Sequence, residues 1–479
     1  MVLTFWEAVE RCSIAPRMEE REFNMKIWKT VTALAKEYDF EYDQEVVVST
    51  DGQLADEVFE AGLKAAVELG VYSRDTQRNV RFTEEEIQEF LRKATGKQSG
   101  YGEGVDAVEV VHRTPGSNVE PVVYGAPQTA VYSTSEVAYK IYKLCAQEPS
   151  TDGIWGGLVI GPPPPIEGKY EINANHPSEI YQYRKEVELM RKAITAVSRP
   201  GMFIKQNAPT AQATIALADP EFGLRPTDPM GGNLFEELKI DWNFANRTAF
   251  AIAYHTRVRW SAGHAFIGGF SGGPATAPIV IVAGALLGLF FSGADDEHIK
   301  EYGVSTRVGK THNRIKSRAA RSCIYVGSLA CQALVRNTRL PVCAQGCDHP
   351  VAGAGTAQFY YECAAGEIAS VASGSSANPS GGARQFVCPT DHVSPLESKW
   401  MGEILKASAG MSLKRANGIV EVLLSRYEDK LEDGYPEGYT FQQMYDVEKE
   451  TVKPEFERFY KHMKDELENL GVRFKKRYA

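Results

Sequence analysis

Apolar residues recur at three- and four-residue intervals through the first hundred positions, and the rhythm then changes near residue 105. Residues 31–38 and 54–64 carry the helical spacing, with the short alternating stretch 45–49 between them. Thr83-Glu84-Glu85-Glu86-Ile87 is a capping-box start: the threonine side chain accepts from a free N–H and Glu86 reaches back. From about residue 105, short β-rich runs alternate with helical ones. The expected strands are residues 106–111, 121–125, 157–161, 201–205, 248–255, 264–270, 302–306 and 340–343. Alternation of this kind predicts parallel crossovers, and eight runs predict an α/β fold of the (β/α)8 TIM barrel type. The eighth run is the weakest, because Pro341 removes a ladder donor. The chain reads as one domain in three parts. Residues 1–104 are a helical N-terminal extension packed on the barrel, 105–395 the catalytic barrel core, and 396–479 a C-terminal helical segment. Gly161-Pro162-Pro163-Pro164-Pro165 reads as a stiff loop and residues 372–382 as a flexible one. Residues 455–470 form an amphipathic helix with Pro454 at its start and Gly471 past its end.

Composition narrows the function classes. The longest apolar run, 275–291, is interrupted by Pro278 and falls short of the roughly 20 residues that span a bilayer. It predicts a buried helix, and no membrane partner is expected. A net charge of −9 gives no basic footprint for nucleic acid. The N-terminus turns charged at once, unlike a signal peptide, and the 8 cysteines then read as reduced thiols in the cytoplasm.

The candidate chemistry begins with Lys205. A helix over 183–194 stops at Arg199-Pro200-Gly201, and a brief apolar strand then delivers Lys205 into the polar turn Gln206-Asn207-Ala208-Pro209-Thr210. Parallel barrels place their chemistry at such strand exits. A solvated loop lysine is the bland alternative. His255 ends the expected fifth strand and is placed at the same mouth, as an acid/base or a hydrogen-bond partner of residue 205. His264 begins the next run and is less well placed. Cys343, Cys347, His349 and Cys363 match zinc ligands in type, but the Cys-x-x-x-Cys spacing is loose. They read as buried thiols, with no metal site. Asp295-Asp296-Glu297-His298 reads as a solvated helix start rather than a metal cluster.

With these segments in order, the chain resembles the monomethylamine:corrinoid methyltransferase family. The resemblance is carried by Gly70-Val71-Tyr72-Ser73-Arg74-Asp75-Thr76, Thr83 to Ile87, Asp106-Ala107-Val108 and Arg199-Pro200-Gly201-Met202. It continues through Glu237-Leu238-Lys239-Ile240-Asp241, Gly268-Gly269-Phe270-Ser271-Gly272-Gly273, Cys343-Ala344-Gln345-Gly346-Cys347, Met401-Gly402-Glu403 and Tyr445-Asp446-Val447. It spans nearly the whole chain. The family implies a (β/α)8 barrel, a homohexamer, and transfer of a methyl group from monomethylamine to the Co(I) corrinoid (cobalamin) of a separate partner protein. It implies no directly bound cofactor. The family's reactive residue is pyrrolysine, and counting from Arg-Pro-Gly-Met that position is Lys205. Residue 205 is therefore either a modified lysine written as its parent or an ordinary lysine. By spacing, two pocket glutamates of the family fall on Gly231 and Ala262, and a glutamine and tyrosine on Arg339 and Pro341. A gap in the spacing restores an acid from Asp228, Glu236 or Glu237; without one, the pocket is less acidic, with Arg257, Arg259 and Arg339 as candidate cations, and prefers an anionic or otherwise different methylated substrate. Gln206 and Asn207 complete the expected substrate-binding set. The rival readings are a barrel lyase or aldolase using Lys205 as a Schiff base, a docking relative without chemistry, and a zinc methyltransferase.

Overall fold

The structure is a computed structural model that describes residues 1–127, 130–156, 178–206, 210–315, 317–384 and 388–478. Its architecture is α/β, built on parallel strands. One set of strands is β1 (Val122–Gly125), β2 (Gly153–Trp155), β3 (Phe203–Lys205) and β8 (Ala377–Ser380), ordered β8-β1-β2-β3. The other is β4 (Pro229–Glu236), β5 (Arg257–Ile267), β6 (Thr306–His312) and β7 (Val342–Ala344), ordered β7-β6-β5-β4. Every pairing within each set is parallel. Hydrogen bonds also join the two sets. Gln206, just past β3, bridges Met230 on β4 in parallel. Ser376, just before β8, donates its N–H to Val342 O at the start of β7, 2.6 Å away.

Two expected strands are something else. Residues 106–111 do not join the parallel strands: Val108–Val111 pairs antiparallel with Lys97–Tyr101. This hairpin lies across the strand N-termini. Glu103 N donates to Gly201 O, Gly102 N to Thr227 O, and the His112 ring meets Leu340 O at 3.1 Å. Gly201 must be glycine here, because a Cβ would sit 2.2 Å from Glu103 O. Residues 248–253 belong instead to the helix Trp242–Ala253, whose N-cap Asp241 accepts from Phe244 N, and 254–255 to the turn after it. Its buried residues Ala245, Arg247, Thr248, Phe250 and Ala251 recur at three- and four-residue spacing among others, a helical period that overrides the β-rich composition.

The expected run 157–161 and the proline loop after it lie outside the described residues; the strand in that region is β2, a few residues earlier. Two strands had no expectation. Pro229–Glu236 is rich in glycine, and Ala377–Ser380 falls in the stretch expected to be flexible yet is wholly buried. Asn378 explains that burial: its Nδ2 donates to Ala344 O at 2.7 Å and to Ser370 Oγ at 2.8 Å.

The expected run 302–306 meets β6 only at Thr306, and 264–270 overlaps only the end of β5. Several helices agree with the pattern. Thr83 and Glu86 form the capping box of helix Glu84–Lys93. Helix Ala277–Leu287 is apolar all round and buried at every position, as a core helix requires. It packs between helix Gly52–Leu69 and β5. Among the described residues no single helix is long and apolar enough to cross a membrane. Helix Pro454–Asn469 starts with its proline and buries Tyr460, Met463 and Leu467, with Tyr460 packed on Trp400 at 5.7 Å between ring centroids.

Candidate active site

The two strand sets enclose a small apolar cluster of Tyr101, Val110, Val122, Tyr124, Trp155, Phe203, Cys343 and Ala377. Strand alternation fixes which residues join it: Phe203 and Lys205 share one face of β3, and Trp155 pairs with Lys205 across the ladder. Lys205 is the last residue of its strand and fully buried. Its Nζ lies 3.2 Å from the centroid of the Trp155 ring and 5.6 Å from that of Tyr124. The two rings are 5.1 Å apart. An ammonium over an aromatic face is held by the ring quadrupole, more strongly where water is excluded. Tyr124 Oη in turn lies 3.2 Å from Cys343 Sγ.

Beyond Tyr124 the cluster becomes polar. Arg307 pairs with Cys343 between β6 and β7 and is 4% exposed. Burial pushes its guanidinium below the usual range. His264, on β5, lies over Gly309 of β6, and its Nε2 is 3.4 Å from Gln345 Oε1. Gln345 Nε2 donates to Asp348 Oδ2 at 2.8 Å, and Arg318 Nη1 donates to Asp348 Oδ1 at 2.7 Å. His349 Nδ1 is 3.0 Å from the same oxygen. Burial alone would raise the Asp348 carboxyl, but Arg318 and His349 outweigh it and hold it well below the usual carboxylate range. Burial drives His264 well below the usual histidine range, and Arg307 and Arg318 add to that, so its imidazole is neutral at pH 7. The site is therefore aromatic and cationic, with one carboxylate already engaged.

The sequence-derived candidates divide sharply. Lys205 lies within this cluster. Gln206 is its neighbour but faces the other way, where its Nε2 donates to Glu186, which also accepts from Tyr142 Oη. Asn207 lies outside the described residues. His255 is corrected in position: it is exposed, at φ 53°, in the turn that precedes β5, so it stands at the opposite end of the strands from Lys205. Arg257 opens β5 at that same N-terminal end. Arg339 is exposed just before β7 and lines a surface cleft with Phe59, Gln88 and Arg336. Both belong to the wrong end of their strands to meet Lys205. Cys343, Cys347 and Cys363 are buried free thiols, and no group of three metal-ligating side chains occurs among the described residues.

A family model for the monomethylamine methyltransferase MtmB matches residues 3–472. The chain belongs to the MtmB family. It is 29% identical over 479 residues to the monomethylamine methyltransferase MtmB2 of Methanosarcina acetivorans, with 98% of each chain covered. It is 28% identical to MtmB1 of Methanosarcina barkeri, again with 98% of each covered. The crystal structure of the Methanosarcina barkeri MtmB superposes with a TM-score of 0.88 at 27% identity, covering 99% of both chains. A hydroxylamine complex of MtmB superposes equally well, with a TM-score of 0.88. The MtmB likeness thus embraces the strands, the N-terminal helices and the C-terminal helices together. Sequence reasoning reached this family and Lys205 but missed Tyr124, Trp155, Arg307 and Asp348. The only signal for Tyr124 was its place in an expected strand; Arg307 stands one residue past the end of another.

Proposed function

We propose that this methyltransferase moves a methyl group from a small methylated amine to the corrinoid of a separate partner protein, with residue 205 seating the amine. The observation that carries this reading is the placement of Lys205: last residue of a parallel strand, buried on Trp155, in a chain of the MtmB family. The eight parallel strands are read as a closed (β/α)8 barrel, supported by the two sets of hydrogen bonds that join the sheets. Residues 1–104 and 396–479 are then extensions on the barrel core, 105–395. Lys205, Trp155 and Ala344 end their strands on one side, the side on which barrels do chemistry.

The form of residue 205 that suits this chemistry is the pyrroline-ring amide, pyrrolysine. A plain ammonium offers no electrophile and repels a methylammonium. Amidation at Nζ removes the charge from a buried aromatic seat and places an imine beyond it, so the residues present fit the group. The imine carbon gives the amine a fixed point of attachment, and such positioning lowers a barrier by about 7–11 kcal/mol. Co(I) on the partner supplies the electron pair that takes the methyl carbon. On this chain the N–CH3 bond breaks, nitrogen keeps the bonding pair, and Trp155 and Tyr124 keep water from the reacting centre.

A cytoplasmic location and a homohexamer complete the reading. The exposed apolar side chains Trp6, Ile14, Met25 and Trp28 on the first two helices support self-association.

The test combines purified protein, a reduced corrinoid protein and mono-, di- or trimethylamine, followed by the corrinoid absorption spectrum. Methyl transfer that Lys205→Ala abolishes is expected; no transfer from any methylated amine overturns the reading. Peptide mass across Met202 to Lys205 tests the ring, and an unmodified lysine overturns that half.

A further inference from the structure

We infer that the site takes a two-ended substrate, a methylated amine that also bears a carboxylate, and that Arg307 binds the carboxylate. The inference deepens the proposed function and rests on it for the amine end only.

Other arginines in or near the core hold a carbonyl or carboxylate acceptor, although Arg191 Nη1 and Arg318 Nε have no partner either. Arg113 donates to the carbonyls of Val119, Val371 and Ser117. Arg191 is paired with Asp228, and Arg318 with Asp348. Arg307 is different. It is 4% exposed, its Nε has no hydrogen-bond partner, and among the described side chains no carboxylate lies within 4 Å of it. Asp348 acts on it electrostatically, but the two oxygens of Asp348 accept from Arg318 and Gln345. Holding a guanidinium out of water without a counter-charge is costly. A ligand carboxylate repairs both deficits, because its two oxygens match the planar N–H fork.

Place in the fold decides which end is which. Arg307 is the second residue of a seven-residue strand, whereas Lys205 is the last residue of its own. Tyr124 stands between them, reaching Lys205 with its ring and Cys343, the ladder partner of Arg307, with its hydroxyl. A carboxylate held deep at Arg307 leaves the methylated nitrogen at residue 205, facing the strand ends where a partner approaches. Monomethylamine reaches only one of these anchors.

The test compares N-methylglycine and N-methyl-β-alanine with monomethylamine, using the full chain and a reduced corrinoid protein. One of the two acids is expected to exceed monomethylamine in kcat/KM by about tenfold or more, the size of one charged hydrogen-bonded pair. Arg307→Gln should erase that ratio, and Arg307→Lys should restore part of it. Thermal melting with glycine, β-alanine and ethylamine reads the carboxylate anchor without any transfer. The two acids should stabilise the wild type and ethylamine should not, and Arg307→Gln should lose the difference. A wild type that prefers monomethylamine, or a melting shift unchanged by Arg307→Gln, overturns the inference. Absence of transfer from every amine, with the melting shifts as expected, overturns the methyl-transfer reading alone.

Discussion

Gly309 gives the sharpest test of how the polar half of the site is held. It sits on β6 directly beside His264 on β5. A Cβ added at Gly309 would lie 2.0 Å from His264 Cδ2 and 2.1 Å from Nε2. Carbon contacts settle near 3.5–4.0 Å, so in Gly309→Ala the imidazole must retreat by about 1.5 Å. That movement carries Nε2 away from Gln345, 3.4 Å distant, and from there disturbs the Asp348 cluster. Overpacking of a filled interior costs about 1–3 kcal/mol. The assay is a urea unfolding series on four proteins: wild type, Gly309→Ala, His264→Ala and the double variant. The alanine at 309 should cost about 1–3 kcal/mol in the wild-type background and far less once His264 is truncated, a coupling of the size seen between touching residues. Methyl transfer should fall with Gly309→Ala and not recover in the double variant, because the histidine is missing there. Equal cost of Gly309→Ala in both backgrounds would falsify the steric account and place the glycine's role in the backbone.

Three further outcomes follow from the site. Lys205→Met keeps the aliphatic stem against Trp155 but removes the amine; transfer should drop by at least about 1,000-fold with little change in melting temperature, and any substantial residual rate removes residue 205 from the chemistry. Burial first, then nearby Asp348, pushes the Glu367 carboxyl up to about 8 from an ordinary 4.5, so the folded protein holds a proton that the unfolded chain has released. Its share of stability is full below about pH 4.5 and is lost as pH rises through about 8, at about 1.4 kcal/mol per unit. Glu367→Gln should therefore flatten the stability profile across that window, and a profile that keeps its slope refutes the assignment. Asp348→Asn leaves the largely covered Arg318 without its counter-charge and should lower stability by about 3–5 kcal/mol in denaturant; a loss under about 1 kcal/mol would show that the ion pair is dispensable.

What could be read from the chain followed from strong local rules. The capping box at Thr83, the proline start of the last helix and the wholly apolar helix Ala277–Leu287 all stand where the pattern puts them. Lys205 was legible because Pro200 and Gly201 punctuate the chain just before a short apolar run. Strand β4 was not, because a proline and two glycines open its sequence, and β8 was not, because it carries small and polar residues whose partners come from distant segments. Asn378 looks like a turn residue until Ala344 and Ser370 supply its bonds. Residues 106–111 have the composition of a core strand, and only their antiparallel partner Lys97–Tyr101 diverts them to a hairpin. His255 was misplaced with its element: once 248–253 is helix, the histidine falls in the turn that leads into β5, at the far end of the strands. Arg307 carries no local mark at all. Its interest lies in what fails to face it, which is a property of tertiary packing.

The apolar helix has a consequence for how this protein is made. Helix Gly52–Leu69 lies on Ala277–Leu287, roughly two hundred residues later in the chain. At about 5–20 residues per second, the earlier segment leaves the ribosome some 10–40 seconds before its cover exists. During synthesis its greasy side must be shielded by something else, so production of this enzyme in a foreign host should depend on the supply of chaperones that hold nascent chains. Shortening the gene from its beginning would leave the later helix bare for good.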